Sequence, residues 1–359
     1  MERVPLALAH DYLTQRGGAE RVVAAWIQSA PSAPLFTNLY EPTTTFREFA
    51  TADVHPGPLN RIPYFRSHHR AALPFLARAT SAIDITADIT LASSSGWAHG
   101  VTTSDYLAVY CHAPARWLYQ TDRYLRRGGL GPLSQASRLW FNHLRQWDQT
   151  AQRRADLYVV NSTATQKVVE EVYGRETSIV APPVDFPAEI PAGDDRGDVL
   201  LVARLLPYKN VDLALDVAQA MPDLRFRIVG DGPLLQSLNS RSTKNVSFLG
   251  AVSEDELWRE YAGTKVHLAL SHEDFGITPL EAAAAGKPTV ARKSGGYVDT
   301  ITATTGMLID ENELTVSAIV ETLQSTLDAP WDLSQLQRHA RQFSRQAHWA
   351  ALQAVIPGL

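Results

Sequence analysis

Short apolar runs alternate with longer amphipathic stretches along most of the chain. In the first half the runs at 6–9, 88–92, 106–111 and 157–160 read as buried strands. In the second half the runs at 199–203, 226–229, 246–250 and 265–270 read the same way. Between them, helical spacing covers 19–28, 134–155, 164–173, 212–220, 254–262, 314–327 and 333–354. Asn161-Ser162 caps the helix at 164–173, and Gly230-Asp231-Gly232-Pro233 opens another. Strand and helix in strict alternation predict an α/β fold with parallel sheets.

Pro187, Pro191, Gly193, Asp194, Asp195 and Gly197 interrupt this rhythm and read as a linker. With 359 residues the chain is too long for one core of ordinary size. Two domains are therefore expected, 1–190 and 197–335. Asp194-Asp195 has no other ligand type beside it and does not predict a metal site.

Composition changes the picture mostly by exclusion. A net charge of −5 does not suggest a nucleic-acid binder. The single cysteine, Cys111, rules out a disulfide within the chain and suits a reducing compartment. No apolar run is long enough to span a membrane, and the first residues read as a short strand rather than a signal peptide. A cytoplasmic protein is the expectation.

The stretch from Ser271 to Gly296, SHEDFGITPLEAAAAGKPTVARKSGG, has the densest chemistry. A strand runs into an acidic loop with Glu273, Asp274, Phe275, Gly276 and Ile277. A helix follows, with Thr278 as expected N-cap, Pro279 in its first position and Glu281 completing a capping box. Gly286 and Pro288 end it. Such a helix start, at the carboxyl end of a parallel strand, is where anionic ligands sit. Glu281 is either a cap residue or a ligand-binding carboxylate, and Glu273-Asp274 either a solvated loop pair or part of a site.

Other segments bear on chemistry. Gly17-Gly18 joins a strand to a helix and is a tight turn or a place where backbone approaches a ligand. His112 follows the strand at 106–111, a polar residue at a sheet edge, whereas Cys111 points the other way into the core. Arg204 and Lys209 share one loop. Residues 60–76 interleave Arg61, Arg66, His68, His69 and Arg70 with Tyr64, Phe65, Leu73, Phe75 and Leu76, which fits a surface helix or an interfacial segment. A second basic aromatic stretch, 119–154, with Arg123, Tyr124, Arg126, Arg127, Trp140 and Trp147, fits a helical hairpin packed on the sheet, a cover over a bound substrate or a contact with anionic lipid.

The string Glu273, Phe275, Gly276, Glu281, Ala282, Gly286, Pro288, Val290 resembles the acidic loop of retaining family 4 glycosyltransferases of the GT-B fold. The resemblance extends over nearly the whole chain and is most specific over 199–301. HDYLTQRGGAE, SSSGWAHG and YCHAPARWLY in the first half resemble the bacterial mannosyltransferase branch that builds O-antigen and exopolysaccharide. The resemblance implies two Rossmann-like domains facing a cleft, with a last helix, about 336–359, crossing back to the first domain on Trp331 and Trp349. It implies transfer of a hexose, mannose from GDP-mannose, to a hydroxyl of a lipid-linked or glycan acceptor. Arg204 and Lys209 would hold the donor diphosphate, and Glu281 the ribose. Glu273 and His112 would face the sugar. The loop 276–279, Gly17, Gly18, Gly295 and Gly296 would offer backbone groups, and Gly250 and Val252 would lie at the base. No metal or other cofactor is implied. One departure is that Val298-Asp299 stands where the family has Pro-Glu. Peripheral contact with anionic lipid on the inner face of the plasma membrane is a further expectation. A UDP-sugar donor, a non-catalytic nucleotide-sugar binder, a phosphorylase and an epimerase are the alternatives.

Overall fold

The computed structural model describes residues 3–119, 135–194 and 196–359, with the side chains of 135–139 excepted. Arg123, Tyr124, Arg126, Arg127 and Asp195 lie outside the described residues. Close contacts divide the chain into two units, Met1–Pro183 with His348–Leu359, and Val184–Ala347.

Unit 1 is built on seven parallel strands: β1 (Val4–His10), β2 (Leu35–Thr37), β3 (Val54–Pro56), β4 (Ala87–Ser94), β5 (Tyr106–Cys111), β6 (Leu157–Val160) and β7 (Ser178–Ile179). Their order is β3-β2-β1-β4-β5-β6-β7. Both faces are covered, so the strands are apolar on both sides. Leu8, Ile89 and Leu91 enter one core cluster with Trp26 and Tyr110. Ala7, Ala9, Ala92 and Cys111 enter the other with Tyr158. Cys111 is therefore core, as its place one residue before His112 predicts.

Unit 2 has six parallel strands: β8 (Val199–Val202), β9 (Phe226–Val229), β10 (Val246–Gly250), β11 (Val266–Ala269), β12 (Thr289–Lys293) and β13 (Gly306–Asp310). Their order is β10-β9-β8-β11-β12-β13. The strand order reverses between β8 and β11, as it does between β1 and β4. Ligands of open parallel sheets bind at the carboxyl ends of such a pair.

The end of the chain departs from expectation. The continuous helix expected over 333–354 is two helices, Leu333–Arg341 and Arg345–Val355. The break is tertiary in origin. The Phe343 carbonyl accepts from the Val184 N–H at 2.8 Å, and the Phe343 ring packs on Phe275 and His339. The first helix stays with unit 2, where Leu336 and Ala340 pack on Ala282–Ala285. Only from His348 does the chain belong to unit 1. Trp349 packs there, but Trp331 packs in unit 2. The linker residues near Phe186 and Ile190 are likewise packed on unit 2.

Candidate functional site

Each unit presents polar residues at the carboxyl ends of its central strands. In unit 2 the loop after β8 carries Arg204 and Lys209. Its last residue, Asn210, takes the left-handed conformation (φ 53°), and its amide donates to the Leu270 carbonyl at 2.9 Å. That bond ties the cationic loop to the end of β11 and brings Lys209 to Glu273.

Lys209 Nζ and Glu273 Oε1 form an ion pair, with 12% and 25% of the two side chains exposed. Ser271 Oγ donates to the same carboxylate oxygen at 2.6 Å and also meets the Tyr297 hydroxyl at 2.9 Å. Arg204 is exposed, and its guanidinium lies 3.4 Å from the Tyr208 hydroxyl. The Tyr208 ring lies under Lys209, with Nζ 5.0 Å from its centroid. Tyr208 thus stands between the two cations. The mostly buried pair at Glu273 leaves the outward Arg204 as the cationic group of this edge that an incoming anion reaches first.

The acidic loop is held from behind by the glycine pair. The Gly296 N–H donates to the Glu273 carbonyl at 2.8 Å, and Gly295 bridges Glu273 with φ 61°. A Cβ on Gly295 would overlap that carbonyl. The Gly296 N–H is therefore spent inside the chain, contrary to the expectation that it faces phosphate or sugar. The Phe275 side chain is buried against Phe343. Gly276 has φ 86° and packs on the Tyr297 ring.

The expected capping box does not form. The helix runs Thr278–Ala284, so Thr278 is its first residue, the N-cap is Ile277 and no side chain caps it. Glu281 lies one position too far along to reach back. Its Oε2 instead accepts from the Tyr261 hydroxyl at 2.7 Å. Burial and the nearby Glu281 hold the Tyr261 phenol well above its ordinary range, so it stays a donor. Gly250 has φ 68° and Val252 is half-buried beside it; the Gly250 carbonyl accepts from the Gly230 N–H at 2.8 Å.

In unit 1 the groups at the strand ends are interior. Asp11, directly after β1, accepts from the N–H groups of Ser95 at 2.7 Å, Trp97 at 3.1 Å and Ala98 at 2.6 Å. Burial pushes its carboxyl up, while His10 and the Ala98 and Ser95 N–H groups pull it down. His112 Nε2 is 2.8 Å from Ser93 Oγ, which is 3.0 Å from His10 Nδ1. Burial lowers the His112 imidazole to about 3, with help from the neighbouring His10, so it is neutral at ordinary pH. Gly17 is close-packed rather than open: a Cβ there would overlap the Glu20 carboxylate. Gly18, in contrast, is exposed with nothing near it.

Sequence reasoning missed Glu20, Asp11, Tyr261, Tyr297 and the buried pair His99–Asp148, whose Nε2 and Oδ1 are 3.1 Å apart. All but Glu20 are joined by contacts distant in sequence. For Asp11 and Glu20 one signal was present, since acidic residues flank a glycine turn after a wholly apolar strand.

The segment at 60–76 is broken into short turns, Pro58–Arg61, Pro63–Ser67 and His69–Ala72, before the helix Leu73–Ser81. Leu76 and Ala72 are buried with Phe65 and Leu73 around them. Ile62, Tyr64 and Phe75 are left 44%, 58% and 52% exposed, beside the exposed Arg61 and Arg70. Among the described residues no helix is long and apolar enough to cross a membrane, and no group of three or more His, Cys, Asp or Glu is placed to hold a metal ion.

Residues 185–347 match the family described as glycosyl transferases group 1. A GDP-mannose-dependent monoacylated alpha-(1-6)-phosphatidylinositol monomannoside mannosyltransferase of Corynebacterium glutamicum is 32% identical over 143 residues, 36% of this chain and 37% of its own. A GDP-mannose-dependent alpha-(1-6)-phosphatidylinositol monomannoside mannosyltransferase of Mycolicibacterium smegmatis is 29% identical over 198 residues, 49% of this chain and 50% of its own. The chain thus spans half or less of the length of these curated relatives. Among solved structures, the Anabaena HepE protein in complex with UDP has a TM-score of 0.66 at 20% identity, covering 99% of this chain and 100% of that one. The apo lipopolysaccharide outer core galactosyltransferase WaaB has a TM-score of 0.67 at 16% identity, covering 98% of each chain. At these identities the likeness is one of fold.

Proposed function

From a chain with the GT-B fold, whose residues 185–347 match the glycosyl transferases group 1 family, we propose an enzyme that transfers a hexose from a nucleoside diphosphate sugar to a hydroxyl acceptor. The donor is GDP-mannose, and the anomeric configuration is retained. The observation that carries this reading is the cationic loop 204–209 set against Glu273 at the switch point of the unit 2 sheet.

The chemistry follows from charge. Breaking a glycosyl–phosphate bond leaves negative charge on the departing diphosphate. Arg204 and Lys209 neutralise it, and such preorganised cations are worth most in the transition state. Two fixed cations fill the role a divalent ion has elsewhere, and turnover proceeds without added metal. An arriving diphosphate competes with Glu273 for Lys209. Released from that pair, the Glu273 carboxylate accepts from a sugar hydroxyl, still steadied by Ser271. Glu281, oriented by Tyr261, accepts from the ribose diol. The base lies by the backbone of Gly250 and Val252. His112 is a further expected contact of the transferred sugar.

GDP-mannose is favoured by the names of the two actinobacterial relatives. A UDP-hexose is the second reading, because HepE was solved with UDP. A lipid-borne acceptor is favoured by the same relatives' names and by Ile62, Tyr64 and Phe75 exposed beside Arg61 and Arg70. We propose that this patch docks on the anionic inner face of the plasma membrane from the cytoplasm, each basic residue adding about 1 kcal/mol.

Transfer and hydrolysis are measured across GDP-mannose, UDP-glucose, UDP-galactose, ADP-glucose and dTDP-sugars, with EDTA present. Turnover of GDP-mannose is expected. Turnover of a UDP-hexose alone replaces the donor, strict dependence on magnesium or manganese removes the fixed-cation account, and a failure of every donor to bind or react removes the enzyme reading.

A further inference from the structure

His10 is the last residue of β1, and Ser93 is its register partner on β4. Ser93 pairs in turn with Tyr110 on β5, and His112 lies two residues beyond Tyr110. Side chains two apart on a strand share a face, so the three polar groups stand in a row along the sheet edge. Behind them, Glu20 is buried in the first turn of the helix Gly18–Ser29.

The distances make a chain. Glu20 Oε1 is 3.9 Å from His10 Nε2 and accepts from Gln15 Nε2 at 2.9 Å. His10 Nδ1 is 3.0 Å from Ser93 Oγ and 3.2 Å from the Ser93 carbonyl. Ser93 Oγ is 2.8 Å from His112 Nε2. Gly17 contributes by having no side chain, since a Cβ would strike the Glu20 carboxylate.

The carbonyl fixes the direction. A carbonyl only accepts, so His10 Nδ1 holds a hydrogen. His10 Nε2 is turned towards the Glu20 carboxylate. Although burial opposes it, the pairing with Glu20 raises the His10 imidazole and lowers the Glu20 carboxyl. Asp11, the other acid nearby, is engaged by three backbone N–H groups. Ser93 Oγ accepts from His10, and among the described residues its own hydrogen has no acceptor in reach but His112 Nε2. A neutral imidazole that accepts at Nε2 holds its hydrogen at Nδ1. The His112 backbone is fixed too, with its N–H donating to the Ser94 carbonyl at 2.9 Å and its carbonyl accepting from Asn161 Nδ2 at 3.2 Å.

We propose that Glu20, His10 and Ser93 are positioning residues that lock His112 in the Nδ1–H tautomer, so that it donates a hydrogen bond to a hydroxyl of the transferred sugar and does not act as a base. The sugar contact rests on the function proposed above, whereas the tautomer belongs to the protein alone. Free neutral histidine favours the opposite tautomer, with hydrogen at Nε2, so the relay has a signature that packing does not produce.

The test is ring ¹⁵N NMR of histidine-labelled protein at neutral pH without substrate, the His112 signals being assigned by their loss in His112→Phe. A protonated Nδ1 and an unprotonated Nε2 are expected. In Ser93→Ala the hydrogen should move to Nε2, and kcat should fall on the order of tenfold to a hundredfold, with donor KM changing much less. Ser93→Thr keeps the hydroxyl and should restore the tautomer and most of kcat. A wild-type His112 protonated at Nε2 overturns the proposal, and that spectrum decides even if the variants fail to fold. An unchanged tautomer in Ser93→Ala overturns it as well. A switched tautomer with unchanged kcat removes the sugar contact and leaves the relay. If no donor is turned over, the function is wrong while the spectrum still judges the tautomer.

Discussion

At the carboxyl edge of the unit 1 sheet, the free N–H groups after β4 close on Asp11, a carboxylate from the chain itself. At the corresponding edge of unit 2, Lys209 and Arg204 follow β8, and the neighbouring carboxylate, Glu273, is partly exposed and shared with Ser271. Both units reverse strand order at their central pair. One edge has its anion built in, with the neutral His112 on the same edge. The other presents cations and leaves room for an anion from solution. A parallel switch point supplies a place for a ligand, and the residues that follow the strands decide whether the place is already taken.

The largest effect that tests this contrast is expected at Asp11. Asp11→Ala leaves three backbone donors without their acceptor, and stability should fall by about 4 kcal/mol in urea unfolding. Donor affinity measured below the unfolding transition should not change. A weakened donor affinity would place the donor's phosphates at the unit 1 edge and erase the contrast.

Next come the cations. Arg204→Ala and Lys209→Ala should each lower kcat/KM by a hundredfold or more, roughly 3 kcal/mol, with melting temperature nearly unchanged. Normal kinetics in both would remove the diphosphate from this edge.

The third effect is a pH dependence. His348 accepts from the Trp26 indole at Nε2 (2.8 Å) and donates from Nδ1 to the Ala181 carbonyl (2.6 Å). Burial lowers its imidazole to about 4, against the Ala181 bond. The folded value lies below the unfolded one near 6.5. The unfolded chain therefore takes up a proton first as pH falls, and stability present above 6.5 is lost towards 4, at up to about 1.4 kcal/mol per pH unit. Melting followed from pH 7 to 5 should show a steeper decline in the wild type than in His348→Gln, whose amide keeps a donor and an acceptor. Equal slopes would mean that His348 titrates normally.

The smallest effect separates two roles of Glu281. Glu281→Gln should cost about 1 kcal/mol or less in stability, because Tyr261 can still donate to the amide oxygen. Donor KM should nevertheless rise severalfold. A stability loss with unchanged KM would leave Glu281 as a packing residue only.

The strands and the alternation were legible because local pattern determines them. β8 is a continuous apolar run and β11 one interrupted only by His267, and the turn residues around Gly276 and Gly286 mark the loop and helix that follow. The capping box was misread because Thr278 and Glu281 have the right spacing but the helix begins one residue early. The break at 342–344 has neither glycine nor proline to announce it and comes from Phe343 meeting Val184 and Phe275. Tyr261, Tyr297, Ser93 and Asp11 act on partners far along the chain, where periodicity and propensity are silent. Of the candidate site, residue types could be picked out in advance, but which group holds which could not.

Val184, the first residue of unit 2, bonds to Phe343 and bridges Ser344, near its last. The unit begins and ends at one point, as an insertion within unit 1 does. During synthesis everything unit 2 needs has been made by Ala347. Unit 1, begun first, still lacks His348 for Trp26, and Leu352 and Ile356 for its core. The order of completion is thus the reverse of the order of starting. The half that reads as the donor half can close while the other waits with an open seam, and that seam is where a chain stalled near residue 347 is most exposed to aggregation or to a protease.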